Sequence, residues 1–232
     1  MKRFAFSLLT ILFAFCGYAQ TMTIHYKNGQ SVKFNVESID YIDFQEKDNN
    51  GGTTISEDEA VDLGLSVLWA SHNVGATSSK LFGDKFAWGE TETKSKYTKE
   101  NYIWIDSKTS TYIDLGEDIG GTEFDVAHVK WGGRWRLPSP NEFDELRKKC
   151  NWQWITLYSV GGFLVTGSNG NSIFIPVNDS AWFWASKEHT SGQGNNSDAY
   201  IFSLSSGTNL KHENNGHTNK INGLYVRPVM SK

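Results

Sequence analysis

Hydrophobic positions alternate with polar ones over most of this chain, and the alternation changes period only once, near the middle. Val32, Phe34 and Val36 take every second position of a polar stretch. That is the period of a strand with one face buried. Thr23 to Tyr26 is a matching stretch upstream, and Asn28-Gly29 lies between the two. Both turn residues tolerate positive φ, so the pair predicts a tight hairpin. A third apolar piece, Ile39 to Phe44, follows as a candidate to pack against it. A lone hairpin is marginal in water, so this module needs a docking partner. Residues 47–56 hold two adjacent glycines and little to bury, and read as a linker.

From residue 57 the apolar density rises. Val61 to Ala70 predicts a strand that turns at Gly64 into another, and Phe82 to Glu90 alternates aromatic with small or polar residues. Residues 91–125 are polar with isolated aromatics, which predicts a long surface excursion. The period then becomes helical. Phe143, Leu146 and Cys150 recur at i, i+3 and i+7. Ser139 and Glu142 have capping-box spacing, Pro140 takes the first helical position, and Arg147, Lys148 and Lys149 fall in the last turn. These signals predict an amphipathic helix over 140–150. Alternation resumes at Trp152-x-Trp154. Segments 161–167 and 171–177 flank Asn169-Gly170 as a hairpin, and further strands are predicted at 181–186, 199–204 and 223–229, with polar loops at 187–198 and 205–222. Many short strands, one good helix and long loops give an α+β domain.

Composition narrows the setting. Lys2 and Arg3 precede the apolar run Phe4 to Phe15, with small residues at Gly17 and Ala19. The run is too short to span a bilayer and reads as a signal peptide cleaved after Ala19. Phe15 before Cys16 departs from a lipobox, which favours secretion over lipidation. Without residues 1–19 the chain has 20 basic and 26 acidic side chains, net −6. That balance argues against a nucleic-acid partner. No later stretch is apolar enough to cross a membrane. Cys150 alone remains, which excludes an intrachain disulfide and suits a small buried hydrophobe.

Six motifs in order then resemble a known family. They are Val-Asp-Leu-Gly-Leu-Ser-Val-Leu-Trp-Ala at 61–70, Asn-Val-Gly-Ala at 73–76, Gly-Asp-Lys-Phe-Ala-Trp-Gly-Glu at 83–90, Trp-Arg-Leu-Pro-Ser at 135–139, Trp-Phe-Trp-Ala-Ser at 182–186 and Gly-Leu-Tyr-Val-Arg-Pro-Val at 223–229. Together they resemble the Fibrobacter succinogenes major paralogous domain, a family abundant in exported proteins of Bacteroidetes-type bacteria. The helix motif and the last strand also resemble the C-type-lectin-like architecture, which includes formylglycine-generating enzymes. The resemblance implies a twisted antiparallel core, a helix beside it and long loops that carry ligands. The expected domains are a signal peptide at 1–19, a hairpin module at 20–46, a linker at 47–56 and a major paralogous, C-type-lectin-like domain at 57–232.

Fold does not give function, so each chemistry is weighed on its residues. The oxidase of that architecture uses a cysteine pair, and the mature chain has one cysteine. A calcium lectin needs clustered oxygen ligands. Val177-Asn178-Asp179 ahead of Trp182 is a partial echo of one signature, and also an ordinary turn. Calcium therefore stays unsupported, and no cofactor or metal is implied. The six histidines lack zinc-like spacing, and there is no nucleophile elbow or phosphate loop. Asp144 and Glu145 read as a solvated helix face. Alternation puts Trp152 with Trp154, and Trp182 with Trp184, on one strand face. Such a pair stacks on a sugar if exposed and fills a core if not. The expected function is an exported, non-enzymatic binding or adhesion module. It would act in the periplasm, at the outer membrane or outside the cell, on glycan or a surface protein, through loops 91–125, 187–198 and 205–222. Trp88, Glu90, Asn178, Asp179, Trp182 and Trp184 are the candidate contact residues. The alternatives are a structural module of a surface complex and an enzyme with an unrecognised site.

Overall fold

The computed structural model describes residues 21–25, 31–35, 60–157, 159–191, 195–206 and 216–232. The chain forms two compact units, residues 1–52 and 53–232. In the first, β1 (Thr21–His25) pairs antiparallel with β2 (Ser31–Asn35), with His25 opposite Ser31 and Thr21 opposite Asn35. The predicted signal peptide, the Asn28-Gly29 turn, the Ile39–Phe44 piece and the linker lie outside the described residues.

The second unit is α+β and rich in antiparallel sheet, with two α-helices among the described residues. A four-stranded sheet has the order β3 (Ala60–Val61), β4 (Val67–Ala70), β12 (Val229–Ser231), β5 (Trp135–Arg136). It joins the two ends of the unit and the motif ahead of the helix. A three-stranded meander is formed by β6 (Asn151–Leu157), β7 (Val160–Thr166) and β8 (Ser172–Pro176). The third sheet has the order β11 (Gly216–Asn219), β10 (Asn195–Ser205), β9 (Ser180–Ser191).

The third sheet lies between two apolar clusters. Ala181, Phe183, Phe202 and Leu204 face a core shared with Trp69, Phe143, Leu146 and the inner face of the meander. Trp184, Ala199 and Ile201 face a second core with Phe86, Trp88, Ile119 and Val226. Strand alternation divides the side chains in this way. It also puts Trp182 and Trp184 on one face, yet Trp184 is covered by the second core and Trp182 lies beyond it, 42 % exposed. Trp152 and Trp154 both pack on Phe163, at 5.7 and 5.0 Å between centroids.

Helix α2 (Pro140–Lys149) follows its sequence signals closely. The Ser139 hydroxyl accepts from Glu142 N at 3.3 Å, and Ser139 N donates to Glu142 Oε2 at 2.7 Å. Arg136 adds a two-pronged contact, with Nη1 and Nη2 donating to Glu142 at 2.9 and 2.6 Å. Phe143 and Leu146 are buried in the first core, and Phe143 stacks on Phe202 at 4.8 Å. Cys150 is the C-cap and packs against that core, and burial pushes its thiol up to about 11. It is a small hydrophobe with little thiolate character.

Glu145 ties the solvent side of α2 to the chain ahead of β4. Its Oε2 accepts from both the backbone N and the hydroxyl of Ser66, and its Oε1 from Lys149 Nζ at 2.8 Å. Burial works to raise this carboxyl, but the Lys149 ammonium and the two Ser66 donors outweigh it and hold it down at about 2. A depressed carboxyl stabilises the fold above its unfolded pKa, and the effect disappears as pH falls through the folded value. Glu145→Gln is therefore expected to cost about 1 kcal/mol at neutral pH. The gap from wild type should close between the ordinary glutamate range and about pH 2, as followed by urea denaturation across pH.

Arg227 is fully buried, and no carboxylate contacts it among the described residues. Its Nη1 donates to Ala70 O at 3.1 Å and its Nη2 to Phe174 O at 3.0 Å, which joins the four-stranded sheet to the meander. Among the described residues only backbone carbonyls accept from this guanidinium, and burial depresses its basicity.

Several expected loops are regular structure. Residues 187–191 continue β9 and 195–198 begin β10, so the 187–198 loop is largely strand. Residues 216–219 of the expected 205–222 loop form β11. Residues 126–131, between the long excursion and the Trp-Arg-Leu-Pro-Ser motif, form a second helix, α1 (Val126–Trp131). Its six residues are too few for a periodic apolar stripe to stand out.

Candidate functional site

The candidate site is built on an irregularity in β9. Trp184 pairs with Ile201, but the next partners are Glu188 and Ala199. Three residues, 185–187, therefore oppose Tyr200 alone, and the strand bulges. The backbone displaced by the bulge finds other partners. Trp184 N donates to Tyr225 O at 3.1 Å, Ser186 N to Pro138 O at 2.8 Å, Ile119 N to Ser186 O at 3.0 Å and Glu188 N to Glu117 O at 2.9 Å. The long excursion and the chain ahead of α2 are both stitched to β9 here.

Two indoles lock the same place. Trp88 Nε1 donates to Ala185 O at 3.0 Å, and Trp184 Nε1 donates back to Phe86 O at 2.7 Å. Both side chains are 1 % exposed. Their N–H groups are satisfied by the opposite backbone, and their rings fill the second core. As candidate contacts, Trp88 and Trp184 are thus corrected to core residues, because the second core covers both indoles although they come from different segments.

Above the indoles lies a buried polar layer. Lys220 Nζ donates to Glu188 Oε2 at 2.7 Å, with the side chains 1 % and 7 % exposed. The ammonium also lies 4.6 Å from the Trp88 ring centroid, within cation–π range. Burial lowers the basicity of Lys220, and Glu188 works to restore it. Lys220 N donates to Ser197 O at 2.8 Å, and Trp88 N to Lys220 O at 2.9 Å, so the residue joins β10 to the 86–90 segment.

Glu90 is 3 % exposed. Its Oε1 accepts from Ile103 N at 2.8 Å and Lys94 Nζ at 2.7 Å, and its Oε2 lies 2.5 Å from the same ammonium. It therefore pins the start of the 91–125 excursion and is also corrected from contact residue to internal anchor. Tyr102 O–H donates to Trp88 O at 2.7 Å, and burial, with Glu90 nearby, holds the phenol high. Tyr112 O–H donates to Asn219 Oδ1 at 2.9 Å, tying the far arm of the excursion to β11.

The exposed part of this face carries a stacked pair of imidazoles. His189 and His217 lie 3.8 Å apart with planes 3° from parallel. His217 Nδ1 is 2.8 Å from Asp198 Oδ2, and Tyr200 packs edge-on against His189. Imidazole lone pairs lie in the ring plane, so stacked rings do not aim them at a shared metal ion. No group of three or more His, Cys, Asp or Glu side chains suited to a metal occurs among the described residues. Glu117, Asp118 and Lys187 lie on the adjoining rim, all exposed.

The other candidates lie elsewhere. Asn178 and Asp179 are exposed in the turn between β8 and β9, where Asp179 O accepts from Ser206 N at 3.0 Å, and Trp182 follows on the same strand. They occupy the opposite end of β9 from Glu188. In the sequence His189 and His217 are weighed only as zinc ligands and set aside for want of spacing, and Asp198, Glu188 and Lys220 do not stand out. The run Lys187-Glu188-His189-Thr190 looks like surface loop, and no local pattern separates a buried lysine from a solvated one. Asp144 and Glu145 behave as an external helix face, paired with Arg147, Lys148 and Lys149. No family model, curated protein or solved structure matches the chain.

Proposed function

We propose that this chain is an exported, non-enzymatic binding or adhesion module of C-type-lectin-like architecture, related to the major paralogous domain family, and that it recognises glycan. One observation carries the reading. Three separate polar segments meet at one face: 91–125, the described parts of 187–198 (187–191 and 195–198), and 216–222. Backbone bonds and the buried Lys220–Glu188 ion pair join them, and Lys220 also lies over the Trp88 ring beneath. Long polar segments held in this way form a preorganised surface, and preorganisation lowers the entropic cost of binding. The groups there suit sugar. The exposed Glu117 and Asp118 and the half-buried Asp198, which holds His217 in place, offer acceptors for hydroxyls, and the imidazole pair offers a flat face for a pyranose ring. The signal-peptide pattern at residues 1–19 supports export.

A glycan array and a pull-down from surface extract, both with the full chain, test the reading. The expected result is selective retention of a glycan class. Asp198→Ala and His217→Ala should weaken it about tenfold or more with an unchanged melting temperature. Capture of a protein with a silent array would replace glycan by a protein ligand. Silence in both assays would overturn the proposal.

A further inference from the structure

Among the described residues, sheet edges in the second unit are short or occupied, with one exception. β3 and β5 have two residues each, and β11 has four. The outer side of β9 is taken by Tyr225, Pro138 and Glu117. β8 ends in Pro176, and its Phe174 carbonyl accepts from Arg227. β6 is different. It is the terminal strand of its meander, runs seven residues as Asn-Trp-Gln-Trp-Ile-Thr-Leu, and carries no charge and no proline. Natural edges are usually blunted by such features, because an open edge recruits another strand.

The strand is also self-complementary. Trp154 is its fourth and central residue and is 39 % exposed. Its indole packs edge-on against Phe163 and lies over Gly161, where a Cβ would come within 2.9 Å of Cζ2. The ring is therefore held at the rim of the sheet. Two copies of β6 related by a two-fold axis at Trp154 pair antiparallel, with Gln153 opposite Ile155 and Asn151 opposite Leu157. No like charges meet, and the two indoles become cross-strand neighbours on one face.

We infer that β6 is a homodimer edge, and that two copies of this chain join their meanders into a continuous six-stranded sheet centred on Trp154. One strand pair is a small interface, so the association is concentration-dependent. It is independent of glycan binding, since β6 contributes nothing to the loop face.

Light scattering of the full chain across a concentration series tests this. The expected mass rises from that of one chain towards two, and Trp154→Lys, which sets two cations against each other, holds it at one. Trp154→Cys, in a chain whose Cys16 and Cys150 are serine, should form a covalent dimer on oxidation. Opposed Cβ atoms about 4.5–5.5 Å apart lie near disulfide reach. That variant decides the matter if Trp154→Lys fails to fold, as checked by circular dichroism. A wild-type chain that stays at single mass overturns the inference, as does a dimer that survives in folded Trp154→Lys.

Discussion

Glu188→Ala is expected to lower the unfolding free energy by about 3–5 kcal/mol in urea denaturation, because it strands a buried ammonium. Lys220 is 1 % exposed, and Glu188 is the carboxylate that accepts from it. The Trp88 ring offers only partial compensation, on the order of 1–2 kcal/mol for a desolvated cation–π contact. Lys220→Met in the same chain should recover much of the loss, since an apolar side chain of similar length suits the layer above the indole. A double-mutant cycle separates the pair energy from the cost of the orphaned charge. The sign of the pH response provides a second check. In Glu188→Ala the folded-state basicity of Lys220 falls further below its unfolded value of about 10.4. The unfolded chain then binds more protons between the two values, so the stability of the variant should rise with pH across that window. A variant as stable as wild type, or one whose stability falls with pH there, would show that the ion pair is not what holds β9 to the 216–222 segment. Hydrogen exchange at Lys220 N and Glu188 N should quicken in the same variant, because their acceptors, Ser197 O and Glu117 O, belong to the segments the ion pair holds together.

The second large effect is expected at Asp125. Its side chain is completely buried and accepts four backbone N–H groups: Ala127 at 2.9 Å and His128 at 3.3 Å through Oδ1, and Gly121 and Leu137, both at 2.8 Å, through Oδ2. One carboxylate thus caps α1, closes the turn before it and fixes the chain that enters the Leu-Pro-Ser motif. Asp125→Ala should cost about 4 kcal/mol, a helix cap at about 1 kcal/mol plus buried donors left without acceptors at about 1–3 kcal/mol each, partly relieved by water. Asp125→Asn keeps one acceptor oxygen and sets an N–H₂ group against remaining donors, so roughly half the loss is expected to persist. Thermal and urea unfolding of the two variants provide the comparison. Equal stability of Asp125→Ala and wild type would mean that α1 and the 137–139 segment hold their positions without the shared carboxylate.

Part of this architecture is legible in the amino-acid sequence alone. The α2 helix was readable because its signals are local. Ser139, Pro140, Glu142 and the Phe143/Leu146 stripe act within a few residues of one another, and the structure places their contacts accordingly. The two hairpins were readable because alternation with Asn-Gly between two strands is equally local. The identity of the site was much less legible. Trp88 and Glu90 lie in a stretch that alternates aromatic with small or polar residues, but alternation says only that one face is covered. It does not say which face, or by what. The strand character of 187–191 was hidden because its polar side chains are those of a loop. What makes it strand is pairing to β10 across the bulge and to Glu117, some 70 positions away in the chain.

The sequence by itself therefore determined periods, turns and caps: where strands alternate, where α2 starts and ends, and that the chain is sheet-rich α+β. The tertiary structure alone decided which indoles are core and which are exposed, that Glu90, Glu188 and Lys220 are interior, and that the polar excursions converge on one face. The division has a simple cause. Periods and caps are satisfied by neighbours a few residues apart, whereas burial depends on what arrives from distant parts of the chain. A lysine or tryptophan looks the same in sequence whether the second core covers it or not.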